Sequence, residues 1–119
     1  MAIRVLFVDD EAAVREIVSM HLSLEGYEVK VASGGSEAIE MLVYEDFDVI
    51  LLDIHMPGVD GIGVLQYMKE HSIRVRPIML SGSRDLRALS ACAELGALEY
   101  LPKPYNFHEL VDAVERVLA

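Results

Sequence analysis

The chain has 119 residues, of which 53% are hydrophobic and 7% aromatic, with no tryptophan. This length suffices for one domain with a single buried core, and the composition is typical of aliphatic strands covered by helices. Its 20 acidic and 10 basic residues give a formal net charge of −10. That charge argues against direct binding to nucleic acid or to an anionic membrane, because both need a basic surface.

The single cysteine, Cys92, cannot form an internal disulfide and is compatible with a reducing compartment. No apolar stretch approaches the roughly 20 residues that a membrane span needs. Residues 1–4 lead straight into a strand rather than into a signal peptide. We therefore expect a cytoplasmic protein whose residues 1–119 form a single domain.

Strand-like and helical patterns alternate along the whole chain. The strand-like runs lie at about 3–8, 28–32, 48–53, 76–80 and 98–101. The helical segments lie at about 12–24, 35–44, 60–71, 84–95 and 106–118. The first, third and fourth runs are nearly continuous in apolar residues, as in strands buried on both faces. The pattern predicts an α/β fold with a parallel sheet, right-handed crossovers and helices on both faces.

Capping residues stand at several of the predicted helix ends. Asn106 and Asp60 are predicted to cap the amino ends of the fifth and third helices. Gly26 and Gly96 follow the first and fourth helices, where glycine commonly ends a helix.

Charged and hydroxyl side chains stand at the ends of four predicted strands. Asp9 and Asp10 follow the first strand, Asp53 ends the third, Ser81 follows the fourth and Lys103 follows the fifth. In an open α/β sheet, ligands bind outside the carboxyl ends of the strands. Three carboxylates, a hydroxyl and an ammonium at one edge predict a site for a divalent cation and a phosphoryl group.

Asp53 carries most of this prediction. It follows four consecutive apolar residues, where a buried carboxylate without a partner would be costly. A cation would compensate it, and hard oxygen ligands suit Mg²⁺. Asp9 and Asp10 alone leave a second interpretation open, namely capping or a charged first turn of the following helix, with Glu11 as further support.

His55 and Pro104, near these strand ends, each have two interpretations. The imidazole of His55 is a poor candidate ligand, because the other histidines show no metal-binding spacing. Its backbone carbonyl suits a hard cation better. The bond before Pro104 is a candidate cis peptide that would orient Lys103 into the site. The alternative is a surface lysine before an ordinary turn proline.

Four motifs together resemble the receiver domain of two-component response regulators. They are V-D-D-E at 8–11, L-L-D-I-H-M-P-G-V-D-G at 51–61, M-L-S-G at 79–82 and Y-L-P-K-P-Y at 100–105. Each tetrapeptide is weak alone, but their order and spacing cover essentially the whole chain. The resemblance implies a doubly wound, flavodoxin-like (βα)5 sheet with strand order 2-1-3-4-5.

The resemblance also implies roles for the acids. Asp53 would be the phosphoacceptor, taking a phosphoryl group from a histidine kinase or a phosphotransfer protein. Asp10 and Asp53 would bind Mg²⁺ directly, together with the backbone carbonyl of His55, and Asp9 would act through water. The domain would catalyse only its own phosphorylation and dephosphorylation.

The remaining implied roles concern the switch. Ser81 and Lys103 would contact the phosphoryl oxygens, and Tyr100 would move inward as Ser81 engages them. The face of helix 4, strand 5 and helix 5 would then control an unidentified output partner. Ser81 stands where the family more often has threonine. Ala97 and Leu98 replace the acidic pair that is common before the fifth strand, which argues against the salt-bridged activation dimer of the DNA-binding members. We expect a monomer when unphosphorylated.

Three other functions are alternatives for such a chain. A phosphorylation-independent interaction module of the same fold is possible, although the full set of acids, hydroxyl and lysine disfavours it. A phosphatase of the haloacid dehalogenase class would need a second aspartate two residues after Asp53, where this chain has His55. A flavodoxin-like FMN binder would need a phosphate-binding loop after the first strand, where three acids stand instead.

Overall fold

The computed structural model describes residues 2–119, in which five strands alternate with five helices. The strands are β1 (Arg4–Val8), β2 (Glu28–Ala32), β3 (Val49–Asp53), β4 (Arg76–Ser81) and β5 (Glu99–Pro102). The helices are α1 (Ala12–Leu24), α2 (Gly35–Tyr44), α3 (Gly61–Glu70), α4 (Leu86–Glu94) and α5 (Phe107–Leu118). The sheet is parallel, in the order β2-β1-β3-β4-β5. The predicted doubly wound α/β fold and its strand order are confirmed.

The ends of the elements lie close to the predicted ranges, and α4 shows the largest difference. Its periodicity predicts a start at residue 84, whereas the helix begins at Leu86. Asp85 precedes it with extended backbone, and its carboxylate accepts the N–H groups of Arg87 and Ala88 at 3.0 and 3.4 Å. The capping side chain therefore determines where the helix starts, which periodicity alone does not locate.

The other predicted helix ends are confirmed. Asn106 and Glu109 form a capping box at the start of α5, each side chain accepting the backbone N–H of the other residue. Asp60 caps α3 through its carboxylate. Gly26 and Gly96 have φ of +96° and +103°, the left-handed conformation in which glycine ends a helix without strain.

The sheet is buried on both faces between two layers of helices. One apolar layer joins α2, α3 and α4 to the strand residues Leu6, Val8, Ile50, Leu52 and Met79. The other joins α1 and α5 to the strand residues Val5, Phe7, Val49, Leu51, Ile78 and Leu80. Cys92 lies in the first layer, and burial raises the pKa of its thiol. Within residues 2–119, no helix is both long and apolar enough to cross a membrane.

The topology places the polar strand ends next to each other. Asp53 is the last residue of β3 and Ser81 the last of β4. Asp9 directly follows β1, and Lys103 directly follows β5. Because these four parallel strands are successive neighbours in the sheet, their carboxyl ends form one edge, and the four residues meet there.

Candidate functional site

Three aspartates form an acidic cluster at the carboxyl edge of the sheet. One carboxylate oxygen from each of Asp9, Asp10 and Asp53 lies within 4.8 Å of the others. Asp9 and Asp53 are only 1% and 5% exposed, whereas Asp10 faces solvent. The structure thus brings together the three acids that the strand ends predict, with one of them accessible from outside.

Asp9 contains a buried carboxylate oxygen that accepts no hydrogen bond. Its Oδ1 accepts the N–H of Glu11 at 2.8 Å, and Arg15 donates to its backbone carbonyl at 2.8 Å. Its Oδ2 has no hydrogen-bond partner within the described part of the chain. An unsatisfied buried polar atom costs about 1–3 kcal/mol, and more when it is charged. The Lys103 ammonium, 3.6 Å away, offsets part of that cost. A cation among these carboxylates would offset the rest, so the donor set fits a hard divalent cation such as Mg²⁺.

Lys103 supplies the positive charge beside the cluster. Its Nζ lies 2.5 Å from Oδ2 of Asp53 and 3.6 Å from Oδ2 of Asp9, and the Lys103–Pro104 peptide bond is cis. Burial is the largest single influence on its pKa and lowers it. The hydrogen bond and charge of Asp53, together with the charge of Asp9, outweigh burial and raise the pKa above its ordinary 10.5. The ammonium is therefore charged throughout the neutral range.

Both carboxylate oxygens of Asp53 are held in place. Oδ2 accepts from Lys103, and Oδ1 accepts the backbone N–H of His55 at 3.2 Å. The imidazole of His55 is exposed. Among the described residues, the side chains close enough to share a metal are the three aspartates, without this imidazole.

One carbonyl oxygen links Ser81 to Tyr100. The buried Ser81 hydroxyl donates to the backbone oxygen of Ser83 at 3.2 Å and accepts the N–H of Ser83 at 3.1 Å. The Tyr100 hydroxyl donates to the same Ser83 oxygen at 3.1 Å. Two hydroxyls from neighbouring strands thus share one acceptor. If Ser81 turned toward a ligand, Tyr100 would remain as the donor to that oxygen.

Comparison with known proteins assigns this arrangement to a family. A family model described as the response regulator receiver domain matches residues 5–115. The chain belongs to this family. Receiver domains act in two-component systems as signalling phosphoacceptors rather than as ordinary enzymes.

Curated relatives of this receiver differ in length. The chain is 34% identical to sporulation initiation phosphotransferase F of Bacillus subtilis (strain 168), covering 97% of this chain and 93% of that protein. It is 43% identical to the probable transcriptional regulator ycf27 of Guillardia theta, again over 97% of this chain but only 45% of that protein. The receiver thus spans nearly all of the first relative and about half of the second.

Solved structures agree with this assignment. The chemotaxis protein CheY4 of Vibrio cholerae superposes with a TM-score of 0.92 at 31% identity, covering 98% of this chain and 99% of that one. The response regulator TrrA of Thermotoga maritima, solved in complex with Mg²⁺ and BeF, gives a TM-score of 0.86 at 33% identity. That match covers 97% of this chain and 98% of TrrA.

Several contacts of the receiver site were not predicted from the sequence. Arg15 stands in the first turns of α1, where an arginine is ordinarily solvated, and nothing in the sequence indicates that it donates to Asp9. The Ser83 carbonyl is a backbone group and leaves no residue-type signal. An apolar groove of about 580 Å³ also opens beside the site between α1 and the start of α5. It is lined by Asp9, Glu11, Val14, Ile17, Val18, His21, Lys103, Pro104, Tyr105 and Phe107.

The raised pKa of Lys103 gives a testable pH dependence. A lysine whose folded pKa exceeds its unfolded value contributes stability that is complete below about pH 10.5 and is lost as pH rises through the folded pKa. We expect Asp53→Asn to lower the pKa of Lys103, because it removes the hydrogen-bonded carboxylate and its charge. The ε-carbon NMR signal of Lys103 in metal-free protein reports this pKa.

Asp46→Asn is the control for this titration. Asp46 is exposed and precedes β3, at the opposite end of the sheet from the cluster. Asp46→Asn removes the same formal charge as Asp53→Asn and does not alter a contact of Lys103. An equal effect of both substitutions on the Lys103 titration would show that net charge, and not the Asp53 contact, raises the pKa.

Proposed function

We propose that Asp53 accepts a phosphoryl group from the phosphohistidine of a histidine kinase or phosphotransfer protein, in a site that holds Mg²⁺. The observation that carries this proposal is the geometry around Asp53. Its carboxylate is buried, lies 2.5 Å from the Lys103 ammonium and shares a cluster with two further aspartates. The TrrA structure with Mg²⁺ and BeF supports extending this chemistry to the present chain.

The metal ligands follow from the donors present. We assign direct ligation to Asp10, Asp53 and the backbone carbonyl of His55, with Asp9 acting through water. When bound, Mg²⁺ would neutralise charge on the transferred group and on the carboxylates. The buried Oδ2 of Asp9 supports its place in this set, since it accepts no hydrogen bond from the described residues and has only the Lys103 ammonium, 3.6 Å away, to offset its charge.

The chain's own residues perform the transfer. An ionised carboxylate needs no base to become a nucleophile. An oxygen of Asp53 forms a bond to phosphorus as the bond from phosphorus to the donor's imidazole nitrogen breaks, and the imidazole leaves with the electron pair and is protonated. Lys103 passes from Asp53 to a phosphoryl oxygen, where its charge offsets the charge on the equatorial oxygens. The acyl phosphate is later hydrolysed by water, which resets the domain.

Incubation with acetyl phosphate tests this function without a kinase. We expect one phosphoryl group per chain, labile in base, in the presence of Mg²⁺ and none in EDTA. Intact-mass measurement detects the modification. If the wild-type chain stays unmodified with Mg²⁺, a phosphorylation-independent interaction module becomes the better assignment. Continuous release of inorganic phosphate from aryl phosphates, without a saturating acyl phosphate, would favour a phosphatase.

The output is proposed to pass through Ser83 and Tyr100. Engagement of a phosphoryl oxygen by the Ser81 hydroxyl would withdraw one of the two donors to the Ser83 carbonyl. Tyr100 would then be the hydroxyl donor left on that oxygen. This change reaches the face formed by α4, β5 and α5, where an output partner would bind. A covalent phosphate and a recruited hydroxyl are local events that can bias such a face.

Amide NMR tests this coupling. Phosphorylation, or beryllofluoride with Mg²⁺, is expected to shift the signals of residues 81–105 more than those of the last turns of α2, residues 38–44. Tyr100→Phe removes the hydroxyl at nearly constant shape and should reduce the shifts in α4 while leaving those at Asp53. Shifts confined to residues around the metal in wild type would contradict a remote switch.

The partners follow from the same assignment. We propose a phosphodonor and an output protein or domain as the partners of residues 1–119, acting as one receiver domain in the cytoplasm. The formal charge of −10 supports an indirect rather than a direct route to nucleic acid. We also propose a monomer when unphosphorylated. Sedimentation of the unmodified chain, and binding to a DNA duplex at low salt, check these two statements.

A further inference from the structure

Gly35, the first residue of α2, approaches the backbone of the loop that follows Asp53. It is buried, and a Cβ built on it would overlap the carbonyl oxygen of Val59. The same Cβ would lie 2.8 Å from the carbonyl carbon of Val59 and 2.9 Å from its Cβ. These are main-chain atoms and a β-carbon, which cannot rotate away as the end of a side chain can. A side chain at position 35 therefore requires Val59 to move.

The loop of residues 54–60 follows the strand that ends at Asp53, and its far end folds back against the end of that strand. Its closing contact is the N–H of Gly61, which donates to the carbonyl of Ile54 at 2.9 Å. Gly61 itself packs so closely that a Cβ there would overlap the carbonyl oxygen of Asp53. Within the loop, the N–H of His55 donates to Oδ1 of Asp53. Because both ends are pinned, a displacement of Val59 is taken up inside the loop.

Helix propensity does not explain the glycine. Alanine is the better helix former, so Gly35→Ala would stabilise α2 if the space were open. The φ of Gly35 also lies outside the left-handed region, so its backbone conformation is available to any residue. The close approach to Val59 remains as the physical reason that a Cβ is excluded.

We propose that Gly35 is a positioning residue for the metal site. By letting α2 pack against the Val59 backbone, it sets the shape of the loop 54–60, which carries the His55 carbonyl that would bind the cation and holds the His55 N–H on Asp53. Gly35 touches neither metal nor phosphoryl group and acts only through Val59. The metal part of this inference rests on the proposed function, in which the His55 carbonyl is a ligand.

Three alanine variants separate this role from ordinary packing. Gly35→Ala pushes on the Val59 backbone. Gly34→Ala changes the preceding residue, where nothing lies within 4 Å of the added Cβ. In Gly63→Ala, the added Cβ would lie 2.9 Å from Cγ1 of Val59. That atom is the end of the Val59 side chain and can rotate aside.

Mg²⁺ affinity, measured by calorimetric titration, is the first readout. We expect Gly35→Ala to weaken binding about 10- to 100-fold, the size usual when groups that support metal ligands are disturbed. Gly34→Ala and Gly63→Ala should bind Mg²⁺ close to the wild-type affinity. The second readout uses metal-free protein. Gly35→Ala should shift the amide signals of residues 54–57, whereas Gly63→Ala should shift only the signals near Val59 and Asp60, which its added Cβ contacts.

Wild-type affinity in Gly35→Ala, or equal weakening in all three variants, would overturn the proposal. If Gly35→Ala does not fold, the wild-type chain still tests it, because coupling between two positions is reciprocal. Mg²⁺ should then shift the amide signals of residues 34–36 more than those of residues 42–44, and equal or absent shifts would refute the coupling. The two proposals can also fail separately. If Gly35→Ala shifts the amide signals of the loop in metal-free protein while acetyl phosphate does not modify the wild-type chain, the positioning role stands and the proposed function fails.

Discussion

Asp53→Ala is expected to abolish modification by acetyl phosphate. The substitution removes the nucleophile, and the remaining acids are poorly placed to replace it. Asp9 is buried with Oδ1 bonded to Glu11, and Asp10 is exposed and further from the ammonium that would receive the phosphoryl oxygens. Intact-mass measurement over a time course with Mg²⁺ should show no phosphoryl group on the variant when the wild-type chain is fully modified.

Asp46→Ala is the matched control for this loss. It removes an exposed aspartate at the far end of the sheet and should be modified at the wild-type rate. Peptide mapping after borohydride reduction, which converts an acyl phosphate to an alcohol, identifies the modified residue. Modification of Asp53→Ala at the wild-type rate would refute the assignment, and mapping to Asp10 in the wild-type chain would move the role to that residue.

Asp53→Asn is expected to raise the melting temperature of the metal-free protein. The cluster sets three carboxylates against one ammonium, so removal of one charge at nearly constant shape relieves repulsion. Lys103 loses its contact with Asp53 but keeps its ion pair with Oδ2 of Asp9, which it can then approach more closely than 3.6 Å. Two unit charges about 4 Å apart interact by roughly 1 kcal/mol in water and by more inside a protein. A gain of about 1 kcal/mol corresponds to a rise of about 3–6 °C for a domain of this size.

In Mg²⁺, the wild-type protein should melt at a higher temperature than Asp53→Asn, the reverse of the order in EDTA. A cation that binds only the folded state at ten times its dissociation constant stabilises by about 1.4 kcal/mol. The wild-type site should gain this stability, and Asp53→Asn should gain much less because the proposed direct ligand at position 53 has lost its charge. Thermal melts in EDTA and in millimolar Mg²⁺ measure both effects.

Asp46→Asn again separates local from general electrostatics. Removing any one acid from a chain of charge −10 reduces its overall self-repulsion, so this control measures that general gain. Repulsion within the cluster explains only the rise in melting temperature of Asp53→Asn that exceeds the rise of Asp46→Asn. If Asp53→Asn melts below wild type in EDTA and gains equally from Mg²⁺, the three carboxylates do not share a metal site.

Local patterns in the sequence determined much of this fold. Continuous apolar runs identify the central strands, because strands covered on both faces need them. The Asn106 cap and the glycines after α1 and α4 act within one helix turn, and so they can be recognised from residue types. The carboxyl-end rule then placed the acids, Ser81 and Lys103 at one edge. The strand order came from the family resemblance, because alternation alone does not say which strands are neighbours.

The tertiary structure alone decided the contacts that give these residues their geometry. It placed the Ser83 carbonyl between two hydroxyls, left Oδ2 of Asp9 without a hydrogen bond and brought Gly35 against Val59. A periodic pattern indicates which face of an element is buried, but not which atom of a distant segment lies opposite. That atom is selected by the packing of all ten elements at the density of an organic crystal, where shifts of a few tenths of an ångström separate contact from overlap.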